Sequence, residues 1–356
     1  MDERYRDFDK LSISLEMTLT ERINALARLG DALAKDDEQL ENIIQRSYIE
    51  NKWFTEENQQ QALTAIKDFF LNEENLNNWI AQYPDLEEVS EMKTIGIIMA
   101  GNIPLVGFHD FLCVFVAGHK AMIKLSDKDK YLLPYLLEKL VAIDARVKSH
   151  FYFTERFTDF QAVIATGSNN TARYFESYFS KYPNIIRKNR TSVAVLDGTE
   201  SDETILAFGH DVFDYFGLGC RNVSKIYVPE GYNFNHLLEI WHDNFKEMAM
   251  HDKYKNNFDY NFALYMLNRT PLLNNGCLIL IQEKNLHARI ASLHYDTYKN
   301  MQELENELLS IRESLQCIST LVKLPSLNTV APGGTQQPSL LDYPDGEDVM
   351  KWCLAV

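Results

Sequence analysis

Apolar positions change their rhythm near residue 94. Before that point Ile23, Leu26, Leu29 and Leu33 recur at helical spacing. Thr18 followed by Glu21 has the form of a capping box. This pattern predicts a mainly helical segment over residues 1–85. From 94 onward short apolar runs alternate with longer amphipathic ones. TIGIIMA (94–100) is continuously apolar, as a strand buried on both faces requires. A helix-like stretch follows its Asn-Ile-Pro turn. KAMIKL (120–125), QAVIATG (161–167) and TSVAVLD (191–197) read as further strands. Between them, 130–144 and 169–179 read as helices. Helix 202–216, a strand over Val223–Val228, two long helical stretches to about 270 and strand 276–281 complete the series. The tail, 331–354, is rich in Gly and Pro and is expected to be irregular.

Strands alternating with helices through short turns predict an α/β chain with a parallel sheet. A length of 356 residues suits two domains, or one large α/β unit with an insertion. The expected division is a helical N-terminal segment with a nucleotide-binding domain over 1–197, a second α/β domain over 198–330, and a closing segment over 331–356.

Composition narrows the function classes. The net charge of −16, without a local Lys/Arg cluster, excludes nucleic acid as a partner. Five cysteines, widely spaced and without a C-x-x-C pair, fit neither a disulfide framework nor a metal site, and point to a reducing cytoplasm. The charged opening, MDERYRDFDK, carries no apolar leader core. The longest apolar stretch is interrupted by Asn102, Pro104, His109 and Asp110, so no membrane span is expected.

The chemistry gathers at strand ends. Asn102 follows the first strand, where open α/β sheets bind ligands; an Asx-turn before Pro104 is its plain structural reading. Lys124, with Ser126 and Asp127 just beyond, closes the second strand. Gly167 and Ser168 follow the third, with Ser168 or Asn169 positioned to cap the next helix. Cys220 differs from the other cysteines. Cys113 and Cys277 sit in aliphatic runs, whereas Cys220 lies between Gly219 and Arg221 in FGLGCRNVSKIYVP (216–229). That stretch is not a G-x-G-x-x-G loop, because its order is helix, glycines, strand and the third glycine position holds Asn222. A nucleophile and a plain buried thiol are both open readings of Cys220 from these residues alone.

Taken in order, MAGNIPL, AGHKAMIKLSD, ATGS and GLGCRNVSKIYV resemble four motifs of the aldehyde dehydrogenase superfamily across roughly residues 90–230. Within it the chain is most similar to the acyl-CoA reductases of the LuxC type, the fatty-acid reductase family. The tail GGTQQPSLLDYPDGEDVMKW is similar to that family's closing segment. The resemblance implies an aldehyde-dehydrogenase-like fold with a Rossmann-type cofactor domain, and reduction of an acyl-CoA to an aldehyde. Cys220 would be the acylated nucleophile and Asn102 an oxyanion donor. Lys124, Ser126, Asp127, Gly167 and Ser168 would border the cofactor. NADP is the implied cofactor, although Asp127 argues for NAD, and coenzyme A is the leaving group. A cysteine acyltransferase or thioesterase without hydride transfer, and a non-catalytic subunit, stay open, as does homo-oligomerisation. The hydrolytic members' glutamate has no counterpart in Arg187, Lys188, Asn189 and Arg190.

Overall fold

The computed structural model describes residues 16–33, 37–88 and 91–356. The charged opening decapeptide lies outside the described residues. Helices α1 (Leu19–Leu33), α2 (Glu38–Glu50), α3 (Glu56–Ala65) and α4 (Glu73–Ile80) build the N-terminal segment. The capping box forms as expected. Glu21 Oε2 accepts the Thr18 N–H at 2.8 Å, and Thr18 Oγ1 accepts the Glu21 N–H at 3.2 Å. Ile23, Leu26 and Leu29 are buried along one face of α1.

The first sheet is made by β1 (Thr94–Ile98), β2 (Lys120–Lys124), β3 (Phe151–Phe153), β4 (Ala162–Thr166) and β5 (Asn184–Arg187). Its order is β3-β2-β1-β4-β5 and every pairing is parallel. The crossovers carry α5 (Phe108–Val116), α6 (Leu132–Ile143) and α7 (Asn169–Tyr178). All nine residues of α5 are buried between the sheet and the N-terminal helices. That placement explains why its sequence is apolar all round apart from His109 and Asp110. Asp110 is tolerated there because Arg187 at the end of β5 donates two hydrogen bonds to its carboxylate, at 2.6 and 2.7 Å.

The second sheet is formed by β6 (Thr191–Val195), β7 (Val223–Pro229), β8 (Leu272–Asn274), β9 (Ile279–Gln282), β10 (Ser292–Tyr298) and β11 (Leu315–Thr320). Its order is β11-β6-β7-β10-β9-β8, and only β8 runs antiparallel. Helices α8 (Asp202–Phe213) and α9 (Phe234–Phe245) cover one face, and α11 (Met301–Ser310) covers the other. Helix α10 (Asp252–Leu267) packs beyond β9. The strand over Thr191–Val195 pairs with β7 and β11, so the sheets divide between Arg187 and Thr191, ahead of the boundary expected at 197. Apolar runs identify a strand but not its sheet, which explains the displacement. Among the described residues no helix is long and apolar enough to cross a membrane.

The tail binds both halves. Asp211 on α8, fully buried, accepts hydrogen bonds from Ser319 Oγ, Gly333 N and both Thr335 donors at 2.6–3.1 Å. Farther on, Tyr343 accepts from Trp79 Nε1 at 2.8 Å and shares a hydrogen bond with Tyr83. The chain then closes in α12 (Val349–Ala355), packed on α5, where an irregular end was expected. Asp348 caps this helix, and Val349, Met350 and Cys353 give it a buried face.

The turn after β1 is held from below by Asp129. Its Oδ2 accepts the Leu105 N–H at 2.7 Å, and Oδ1 has no protein partner. Leu105 has φ of 58°, a left-handed conformation that a branched side chain rarely takes. Burial raises the Asp129 pKa to about 6, partly offset by the Leu105 N–H. The folded state therefore holds this proton more tightly than the unfolded chain. Stability from this group is complete below about pH 4 and is lost as pH rises through 6. Asp129→Asn keeps an acceptor for Leu105 but does not titrate. Between pH 4 and pH 7 its stability relative to wild type should improve by on the order of 2–3 kcal/mol. Denaturant melts of both proteins across that range check this; a pH-independent difference would contradict it.

Candidate active site

The first sheet reverses direction between β1 and β4. From β1 the chain winds through α5 to β2 and β3, then returns to lay β4 on β1's other side. Such a switch point leaves a crevice at the carboxyl ends of the two strands. Here a cavity of about 830 Å³ opens at that point, and Gly101, Asn102, Ser126, Gly167, Ser168 and Cys220 all line it. Among the residues singled out from sequence, five of seven thus meet in one space: Asn102, Ser126, Gly167, Ser168 and Cys220. Lys124 is half-buried at the end of β2 and Asp127 is exposed in the next turn; neither lines the cavity. Lys128 does.

The side of the cavity on the first sheet is built from small residues and a helix end. A Cβ added to Gly101 would lie 2.4 Å from Ser126 Oγ, so the two strand ends pack without room for a side chain. Ser168 caps α7 by accepting the Thr171 N–H at 3.3 Å. The helix therefore begins at the crevice, with its remaining orphan N–H groups and positive dipole end there. Phosphate groups suit such an end. Strand-end crevice, close-packed small residues and helix N-terminus together fit a dinucleotide.

The loop that carries Cys220 is held under strain. Tyr215, Phe216 and Gly217 take φ of 52°, 59° and 73° in succession. Two non-glycine residues in the left-handed region cost about 1 kcal/mol or more each and persist only where surroundings fix them. Phe216 is fixed by Trp53 and His251, its ring centroids 5.2 and 4.4 Å away. Asn222, 2% exposed, fixes the rest. Its Oδ1 accepts the Gly219 N–H at 2.8 Å, and its Nδ2 donates to the Asp214 and Asp211 carbonyls at 2.7 and 3.3 Å. A Cβ on Gly219 would sit 2.9 Å from that Oδ1, which accounts for the glycine. Ser192 Oγ donates to the Cys220 carbonyl at 3.0 Å. In the sequence Asn222 reads as an ordinary polar residue at the place of a dinucleotide loop's third glycine; its hold on the loop emerges only in the fold.

Asn102 joins this loop to the first sheet. Its Nδ2 donates to the Leu218 carbonyl at 2.7 Å. An amide nitrogen carries two hydrogens, so one stays free for a ligand. Cys220 itself is half-buried, while Cys113, Cys277 and Cys353 are buried. Burial raises the Cys220 pKa; the Arg221 charge opposes this, Asp345 adds to it, and Arg187 opposes it. The resting side chain is therefore a thiol at neutral pH.

Arg187, Lys188, Asn189 and Arg190, which the resemblance sets where hydrolytic members carry their glutamate, all line the cavity and bring cations to it. Two other parts of the wall were not legible in the sequence. Opposite charge comes from the tail through Asp345, whose Oδ1 lies 3.3 Å from Arg190 Nε. A third wall, from α3 and the turn after it, is apolar: Ala62, Ala65, Ile66 and Phe70.

No protein-family model and no curated protein matches this chain. Solved structures do. A putative aldehyde dehydrogenase from Burkholderia cenocepacia superposes with a TM-score of 0.61 at 10% identity, over 86% of this chain and 75% of that one. Mycobacterium tuberculosis aldehyde dehydrogenase complexed with NAD+ gives 0.61 at 12% identity, over 88% and 77%. An NAD-dependent benzaldehyde dehydrogenase from Corynebacterium glutamicum gives 0.61 at 10%, over 86% and 77%. Identities this low speak for architecture alone: the chain has an aldehyde-dehydrogenase-like α/β fold.

Proposed function

We propose that the protein reduces an acyl-CoA thioester to an aldehyde with NAD(P)H, through an acyl group carried on Cys220. The observation that carries this reading is the meeting of Cys220 and Asn102 in one cavity with the dinucleotide crevice. The apolar wall of Ala62, Ala65, Ile66 and Phe70 supports a hydrocarbon acyl chain. The family resemblance supplies the CoA thioester and the preference for NADP over NAD.

In this reading Cys220 Sγ attacks the thioester carbon and coenzyme A leaves. Negative charge develops on the carbonyl oxygen. The free Nδ2 hydrogen of Asn102 and the Cys220 backbone N–H stabilise it. The bond from Asn102 to Leu218 holds the amide in place beforehand, so no reorganisation is needed when charge appears. When bound, a nicotinamide dinucleotide would supply the hydride that reduces the acyl carbon. Ser126, Gly167 and Ser168 would hold it from the first sheet; Lys124 and Asp127 are the resemblance's further assignments for its ribose. Cys220 then leaves as a thiolate as the aldehyde forms, and takes up one proton from solvent to return to the resting thiol. The stretch 187–190 itself supplies no carboxylate where the resemblance sets the hydrolytic members' base.

Incubation with a panel of acyl-CoAs and NADPH or NADH, followed by cofactor absorbance, tests the reaction. Oxidation of cofactor with aldehyde formation is expected. Rapid release of free acid without cofactor would contradict it and favour a thioesterase.

Cys220→Ala should abolish both turnover and covalent acylation. Cys113→Ala and Cys277→Ala should keep acylation and lose stability through cavities in packed cores. Mass mapping of the acyl group to another residue would contradict the assignment. Asn102→Ala should lower kcat by about 10²–10³-fold with a much smaller change in KM. A change in KM alone would assign Asn102 a turn-forming role.

A further inference from the structure

A resting thiol needs something to take its proton, and the stretch 187–190 offers only cations and an amide. The tail fills that gap. Asp345 lines the same cavity as Cys220, with its side chain 15% exposed. Three contacts fix it there. Its carboxylate faces Arg190 Nε at 3.3 Å. Its backbone N–H donates to Gln316 Oε1 at 3.3 Å. Nearby, Arg221 donates to the Asp342 carbonyl at 3.0 Å, pinning the tail to the residue after the nucleophile. Gln316 and Cys317 occupy a register shift in β11, an irregularity that re-aims side chains. Cys317 in turn meets Ser192 Oγ at 3.0 Å, the same hydroxyl that holds the Cys220 carbonyl. Asp345 and Cys220 are thus tied to one short piece of β11 and β6.

The backbone turns sharply at Asp345: its φ is 61°, in the left-handed region that Asp tolerates, and Gly346 follows at 69°. The turn leaves Asp345 as part of the cavity wall. Charged groups around it are Arg190 and Arg187, with Asp110 behind Arg187 and Arg221 beside Cys220. Burial raises the Asp345 carboxyl, with Arg190 and then Arg187 pulling it back. Such a carboxylate takes and returns a proton more readily than a solvated one.

We propose that Asp345 is the proton acceptor and donor for acyl transfer at Cys220. The inference rests on the reading given under Proposed function. As the bond from Cys220 Sγ to the thioester carbon forms, the Sγ–H bond breaks and the proton passes, directly or through a cavity water, to the Asp345 carboxylate. As the carbon–sulfur bond to coenzyme A breaks, the leaving thiolate takes that proton. The step ends with one acyl group moved, no net proton released and nothing oxidised or reduced. A base therefore exists in this site, but it comes from the closing segment rather than from the strand-linking stretch where hydrolytic relatives keep theirs.

Asp345→Asn tests this, because Asn tolerates a left-handed backbone and keeps the side chain's shape. Two rates are measured on wild type and variant without cofactor: acylation of Cys220 by an acyl-CoA, read by intact mass, and alkylation of Cys220 by iodoacetamide at pH 7. Loss of the base should slow acylation by about 10²-fold or more. Loss of the negative charge should lower the thiol pKa and speed alkylation, by about two- to tenfold. The two rates move in opposite directions. A merely structural role would slow both or change neither, and either result overturns the proposal. Should no acyl-CoA acylate wild type, the functional reading fails by itself. Alkylation then decides whether Asp345 is coupled to Cys220, and an unchanged rate overturns that coupling.

Discussion

The hydrogen bond from Asn102 Nδ2 to the Leu218 carbonyl joins two sheets that otherwise meet across a cavity. On one side of it lies the end of β1, where the parallel order of the first sheet creates a crevice. On the other lies the strained loop that brings Cys220 into β7. Each side is independently stiff. Asp129 holds the β1 turn through Leu105, and Asn222 holds the Cys220 loop through Gly219, Asp211 and Asp214. A single short bond between rigid parts fixes a position better than many contacts between mobile ones. The oxyanion chemistry proposed for Asn102 depends on that fixed position.

The tail closes the arrangement. Asp211 grips Gly333 and Thr335 in the second half, and Trp79 and Tyr83 grip Tyr343 in the first. Residues 336–342 are therefore held at both ends as they pass the cavity, with Pro344 and Asp345 directly beyond the second grip, and Gln336, Pro338, Asp342, Pro344 and Asp345 form part of its wall. A segment tethered in this way limits how far the halves can separate. It also explains how a carboxylate more than a hundred residues from Cys220 can be delivered to it with little conformational freedom.

Much of the fold was legible in the sequence. Apolar-rich runs mark β1, β2, β4, β6 and β7 because strands covered on both faces carry few polar positions, Ser192 and Lys225 being buried exceptions. Strand β10 was missed because SLHYDTY holds one aliphatic residue, Leu293, among polar and aromatic ones and so shows no apolar run. Strands β3 and β5, with three and four residues, are too short for any pattern. The site divides the same way. Local signals, namely residues at strand ends and a glycine-flanked cysteine, identified Asn102, Ser126, Gly167, Ser168 and Cys220. Asp129, Arg187 and Asp345 act through partners far away in the chain, and Asn222 through a turn that reads as an ordinary polar position. Long-range pairing leaves no trace in one sequence.

The central claim is that the thiol on the second sheet faces the dinucleotide crevice of the first. A single-turnover experiment tests it most directly. Protein acylated on Cys220 and freed of excess thioester is mixed with NADPH or NADH, and cofactor absorbance is followed alongside the acyl mass on the Cys220 peptide. The account predicts that cofactor oxidation and acyl loss occur together, one for one, with aldehyde as product. Acyl loss without cofactor oxidation, or an acyl-enzyme indifferent to both cofactors, would contradict it.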